Sequence, residues 1–191
     1  VELVSLFIAS ILINNFILHY FLGICPFLGV SKKIDAALSM GLAVTFVMAI
    51  TAVVSWVINH KILIPYGLDY LQIVSFILVI ASLVQFVEMF IRRTSPPLYQ
   101  AMGIYLPLIT TNCAIMGLAL LEALKNYNFA EAVVFGVGSG LGFTLAIVLM
   151  AAIREQLDLA DVPKPLRGAG IALIVAGIMA LAFLGFSGMI K

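Results

Sequence analysis

Charge is scarce in this sequence: Asp, Glu, Lys and Arg make up 10% of its 191 residues. A soluble domain of this length carries about a quarter charged residues to keep its surface wet. With 64% hydrophobic residues and a mean hydropathy of +1.22, the surface left without charge faces lipid rather than water. The net charge of +1 leaves no basic face to neutralise phosphates, which excludes a nucleic-acid role. Polar sequence is confined to short loops, so any large redox or nucleotide-binding domain would belong to a partner. The opening VELVSLFIAS has no basic n-region and no cleavage-like site after it. A signal peptide is therefore not expected, and the segment reads as the first membrane helix. No nucleophile–base set and no carboxylate pair stands out, so no bond chemistry is expected of the chain alone.

What is present is six long apolar stretches, at about residues 3–30, 36–59, 71–91, 100–121, 132–153 and 168–190. Crossing the hydrocarbon takes about 20 residues at 1.5 Å each. The expected fold is therefore all-α, a polytopic membrane protein of six transmembrane helices forming one membrane domain over 1–191. Pro96, Pro97, Pro163 and Pro165 fall in or beside the polar breaks, where a missing amide donor does least harm. Basic residues cluster on alternate breaks: Lys32 and Lys33, Arg92 and Arg93, then Arg154, Lys164 and Arg167. The other breaks and the end of the chain hold Lys61, Lys125 and Lys191. The positive-inside rule puts the odd loops in the cytoplasm and both termini outside.

The first stretch is too long for one crossing, since 3–30 would make a helix of about 40 Å against a hydrocarbon core of about 30 Å. It also contains Asn14, Asn15, His19, Gly23 and Pro26, which are costly to expose to lipid. A broken or re-entrant segment with its freed backbone groups buried in protein accounts for both features. A strongly tilted helix is the alternative. The fourth stretch is interrupted in a similar way, with Pro107, Thr110, Thr111 and Asn112 ahead of Cys113. Each interruption carries a Cys-x-x-x-Gly step, Cys25 to Gly29 and Cys113 to Gly117. With three spans in each half (roughly 1–95 and 96–191), spans one and four run in opposite directions. That describes a 3+3 inverted repeat with broken half-helices in those spans, and the functional site of such a fold lies near the midplane.

Two readings of the cysteines stay open. Both can be buried small hydrophobes, the common state of a free cysteine. Both can instead be thiolate ligands for a soft metal or an iron–sulfur cluster. A cluster takes four protein ligands, so two cysteines would require a second chain to supply two more. Elsewhere, the run from Phe135 to Gly142 lacks the spacing of a phosphate loop, and Gly138 and Gly142 form a G-x-x-x-G step suited to close helix packing. The glycines of the last span (Gly168, Gly170, Gly177, Gly185 and Gly188) invite the same packing role. Glu88 is the acid well inside a span and a candidate for an ion pathway, although Arg92 at i+4 offers a plain ion pair. His19, beside Tyr20, is either a proton relay or a satisfied polar contact.

The segment from Asn14-Asn15-Phe16 through Phe21-Leu-Gly-Ile-Cys-Pro-Phe-Leu-Gly29 to Lys33, with Leu106-Pro-Leu-Ile-Thr-Thr-Asn-Cys113 and Ala152-Ile-Arg-Glu155 through Asp161-Val-Pro163 to Arg167-Gly168, resembles the RnfA/NqrE family of membrane subunits. The resemblance covers nearly the whole chain. Cys-Pro-Phe and the Asn-Asn pair are more similar to the version found in the Rnf electron-transport complexes (RnfA) than to that of the sodium-pumping NADH:quinone reductases (NqrE). It implies a component of a translocase, a ferredoxin:NAD+ oxidoreductase that couples electron flow to Na+ or H+ translocation, in the cell (inner) membrane of a bacterium or archaeon. It implies that Cys25 and Cys113 share a [2Fe-2S] cluster with two cysteines of a homologous, RnfE-like partner of opposite topology. Gly23, Pro26, Gly29, Asn112 and Gly117 would surround that cluster, and Asn14, Asn15 and Glu88 are candidates for the ion path. Other partners would be flavin-bearing and iron–sulfur subunits and the bilayer itself. A small inverted-repeat secondary transporter and an inert scaffold are the expectations from other classes.

Overall fold

A computed structural model describes residues 2–94, 106–160, 163 and 167–188. The described residues are all-helical and contain no strand. In order they form α1 (Glu2–Leu12), α2 (Ile24–Val30), α3 (Ile34–Ile58), α4 (Gln72–Thr94), α5 (Leu106–Thr110), α6 (Cys113–Lys125), α7 (Phe129–Asp158) and α8 (Ala169–Leu184). Four helical stretches are long and apolar enough to cross a membrane: Ile34–Tyr66, Gln72–Phe90, Leu108–Lys125 and Phe129–Asp158. Leu3–Leu12 and Ala169–Leu184 are apolar but shorter.

Several helix ends differ from the hydropathy boundaries, each for a local reason. Beyond α3 the helix does not stop at Asn59. It continues through a π-helical turn, Asn59–Leu63, to Ile64–Tyr66, and ends where Gly67 takes a left-handed φ of 63°. At the start of α7, a capping box formed by Asn128 and Glu131 begins the helix at Phe129. Its far end runs past Ile153 to Asp158, so Arg154 and Glu155 are helical rather than loop residues. Arg154 uses this position to donate to Leu28 O at 2.8 Å and Ser31 Oγ at 3.0 Å, tying down the end of α2. Glu155 accepts from the Ile34 amide at 3.1 Å, at the first turn of α3. The loop holding Lys32 and Lys33 and the end of α7 therefore lie at the same end of the molecule. Pro96, Pro97 and Pro165 lie outside the described residues.

The core sits where α7 packs along α3 on one side and α1 on the other. The glycine-rich run makes both approaches possible. Gly138 and Gly142 face α1, where an added Cβ would run into Ser10 and into the Ile11 backbone. Gly136 and Gly140, offset by two residues, face α3, where it would meet Ala52 and the backbone of Thr45 at 2.7 Å. The expected G-x-x-x-G step is thus joined by a second one on the adjoining face, and each brings a different helix close. Thr45 and Thr144 hydroxyls pair at 3.0 Å across the α3–α7 contact. The packed apolar side chains include Phe16, Phe27, Met48, Ile115, Phe135 and Phe143, all buried. The glycines of the last span behave differently: Gly168, Gly177 and Gly185 have open space where a Cβ would go.

Candidate functional site

Between α1 and α2 the chain leaves the helix at Leu12 and re-enters it at Ile24. Asn15, 1% exposed, organises this stretch. Its Nδ2 donates to Ile11 O at 3.2 Å, at the end of α1, and to Gly142 O at 2.7 Å on α7. Its Oδ1 accepts from the amides of Ile17 at 3.1 Å and Leu18 at 3.3 Å. Two donors and two acceptor sites are the full capacity of the amide, and all are in use. The stretch then packs Phe16, Ile17 and Leu18 into the core and seats Leu22 in the space left by Gly117 on α6.

Gly23 closes the stretch with φ 85°, a conformation that L side chains rarely adopt. Its surroundings leave no room for one either, since a Cβ would lie 2.8 Å from the Phe143 ring. In this conformation the Gly23 amide donates to Cys113 Sγ at 2.9 Å. The two residues are 90 apart in sequence, so this contact joins the interrupted first stretch to the interrupted fourth. Cys25 follows two residues later, within about 7.6 Å of Cα path from Gly23. Gly23→Ala is expected to destabilise the fold by about 1–2 kcal/mol from the left-handed backbone alone, and further through Phe143. Thermal unfolding of the purified protein measures it.

On the opposing segment, α5 ends at Thr110 and α6 begins at Cys113. Asn112 is the N-cap: its Oδ1 accepts from the Ala114 amide at 3.0 Å. Cys113 is thus the first residue of a 13-residue helix, where the helix dipole favours negative charge. Asn112 Nδ2 is buried and has no hydrogen-bond partner. The Asn112 side chain also reaches the Gly23 position, with Oδ1 3.4 Å from where a Cβ would stand.

Of the residues selected from sequence, Gly23, Cys113 and Asn112 meet through these contacts, Gly117 receives Leu22 beside them, and Cys25 and buried Pro26 follow Gly23 on α2. Gly29, at the other end of α2, has nothing within 4 Å of where a Cβ would stand. Asn14 is half-buried, Glu88 is half-buried on α4, and His19 is exposed with an edge-on ring contact to Tyr20 at 4.8 Å. Cys25 is exposed and Cys113 half-buried, and both are free thiols. Phe21, also exposed and with φ 56°, stands on the same segment.

Cys25 and Cys113 are donors of the kind that a soft metal or an iron–sulfur cluster takes. Cys113 Sγ has an amide directed at it and the buried Asn112 N–H group beside it lacks an acceptor, while Cys25 follows that amide's glycine by two residues. Among the described residues no group of three or more His, Cys, Asp or Glu could hold a metal.

A family described as "Rnf-Nqr subunit, membrane protein" matches residues 3–190. A component of the ion-translocating oxidoreductase complex of Serratia proteamaculans is 57% identical over 190 residues, covering 100% of this chain and 98% of that protein. A component of the Na(+)-translocating ferredoxin:NAD(+) oxidoreductase complex of Acetobacterium woodii is 59% identical over 187 residues, covering 98% and 97%. The corresponding ion-translocating oxidoreductase component of Edwardsiella ictaluri is 56% identical over 186 residues, covering 97% and 96%. With the match running through both cysteine segments and nearly end to end, the chain belongs to the Rnf-Nqr family of membrane subunits.

Proposed function

We propose that this chain is the RnfA component of an ion-translocating ferredoxin:NAD+ oxidoreductase of the Rnf type, and that Cys25 and Cys113 supply half of the ligands of a [2Fe-2S] cluster. The observation that carries this reading is the Gly23 amide directed at Cys113 Sγ, which unites the two cysteine segments. When bound, such a cluster accepts and releases single electrons. The chain's own part is to hold the two thiolates, to direct an amide and the α6 N-terminus at Cys113, and to leave Cys25 exposed towards a partner. A homologous membrane protein of opposite topology would bring the other two cysteines, with flavin-bearing and iron–sulfur subunits on the two sides of the membrane. The names of the relatives, one of them a ferredoxin:NAD(+) oxidoreductase component, favour the Rnf-type complex over the quinone reductase.

In the membrane we infer six spans arranged as a 3+3 inverted repeat. Span one is α1 with α2, interrupted at 13–23, and span four is α5 with α6, interrupted at Thr111 and Asn112. The packing supports this pairing: α1 lies against α7 while α6 lies against α3, and α2 meets α5 where the two interruptions adjoin. Both termini would be outside, with Lys32, Lys33, Arg92, Arg93 and Arg154 on the cytoplasmic side.

Iron determination and electron paramagnetic resonance on the reduced, assembled complex test the cluster assignment. Wild type should hold two more irons per complex than Cys113→Ser and show a [2Fe-2S] spectrum that the variant lacks; equal iron and equal spectra would overturn it. For the topology, reporter fusions at residue 191 should show an extracytoplasmic C-terminus.

A further inference from the structure

Away from the cysteines, one acid is buried in the middle of the helix packing. Glu122 is 3% exposed on α6, nine residues past Cys113 and so about 13.5 Å along the helix axis from it. Its Oε2 lies 3.0 Å from Ser55 Oγ on α3, and its Oε1 is buried with no hydrogen-bond partner. Ser55 has one hydroxyl proton and three acceptors in reach: Thr51 O at 2.7 Å, Ala52 O at 3.3 Å and Glu122 Oε2. Thr51 Oγ1, one turn further along α3, is buried and unpartnered as well. The space against the carboxylate is too tight to hold a water molecule, and Ser55, Asn59 and His60 are the other polar residues that line it.

The local backbone is also unusual. Here α3 passes into its π-helical turn at Asn59–Leu63, a geometry that recurs at functional sites. His60 stacks on Trp56 with ring centroids 4.3 Å apart, and its buried Nδ1 has no partner. Neither Lys nor Arg lines this space. The titratable groups on the surrounding segments include His60, Lys61, Tyr127, Lys125 and Glu131, and Lys61 is exposed to the outside of the helix packing. Lys125 lies over the Tyr127 and Phe135 rings at 5.6 Å, and Glu131 accepts from the Asn128 amide in the capping box. None of these supplies a cation to Glu122 in the contacts described.

An ionised carboxylate held this way bears a desolvation cost that one shared hydroxyl does not offset. A small cation on the carboxylate removes it. We propose that Glu122 and Ser55 form a binding site for one small hard monovalent cation, H+ or Na+, within the membrane part of the chain. With a proton, the Glu122 hydroxyl donates to Ser55 Oγ, and the Ser55 proton is free for Thr51 O. With Na+, the same carboxylate and hydroxyl oxygens are hard ligands, and the proton leaves as the ion enters, so charge is conserved. The site deepens the proposed function, because it rests on the complex moving ions, and it places a step of that movement on this chain.

The test uses the assembled complex in lipid, comparing wild type with Glu122→Gln by infrared difference spectroscopy. One arm titrates pH in choline buffer, and the other adds NaCl or choline chloride at fixed pH. Carboxyl bands that respond in wild type and are missing from Glu122→Gln are expected. A response to pH alone identifies a proton site; a response to NaCl but not choline chloride identifies exchange for Na+. Coincident spectra of the two proteins through both titrations would overturn the proposal. Ion transport into proteoliposomes should fall in Glu122→Gln, because intramembrane acids mark ion pathways, and transport at the wild-type rate would also overturn it. The cluster signal should persist in Glu122→Gln, so the cysteine assignment and this site fail independently. Ser55→Ala provides a second variant, in which the Glu122 bands should shift.

Discussion

Cys25→Ser and Cys113→Ser should each remove the [2Fe-2S] signal from the reduced complex and lower electron transfer through it by more than about 100-fold, beyond the range seen when only supporting groups of a metal site are lost. Serine nearly matches the thiol in size but gives a hard oxygen in place of a soft sulfur ligand. The substitution at 113 also preserves an acceptor for the Gly23 amide, so the contact between the two interrupted segments survives. The variants should therefore still assemble and co-purify with their partner subunits while lacking the signal. The measurement is electron paramagnetic resonance on membranes matched for complex content. A spectrum retained by either variant would exclude that cysteine as a ligand.

Asn15→Ala should have the largest effect on folding, about 3 kcal/mol or more, because buried backbone groups left without partners cost about 1–3 kcal/mol each. The side chain serves two carbonyls, Ile11 O and Gly142 O, and two amides, those of Ile17 and Leu18. Its removal leaves the end of α1 uncapped and frees the stretch that delivers Gly23 to Cys113. Asn15→Asp should recover the bonds to the two amides but not those to the two carbonyls, since a carboxylate has no proton to donate. Thermal denaturation of the purified complex, followed through its aggregation, should rank wild type above both variants. A stable Asn15→Ala complex with full iron content would show that the stretch is held by its apolar contacts alone.

Asn15 stands out in the sequence as a polar residue inside an apolar stretch, with an ion path as one use for it. The contacts assign its hydrogen-bonding capacity to the backbone, at the point where the helix must end. Asn112 does the corresponding work on the other side by capping α6, but with its Nδ2 left over beside the cysteines. Glu122 shows the reverse case. Hydropathy marks it as the first polar residue after a span, whereas helix packing buries it against Ser55, 67 residues away.

By itself, the order of residues determined the helical class, the apolar stretches and the family to which both cysteine segments belong. Backbone groups in hydrocarbon must be satisfied within the segment, so length and polarity along the chain are already structural statements. The charged ends of those stretches were less legible. Arg154 and Glu155 read as loop, yet they extend α7 because α2 and α3 give them backbone partners. Only the tertiary structure decided that Gly136 and Gly140 serve α3 while Gly138 and Gly142 serve α1, that Gly23 meets Cys113, and that Glu122 faces Ser55. Each of these is a contact between distant segments, set by which helix faces approach closely, and no local period in the sequence records that choice.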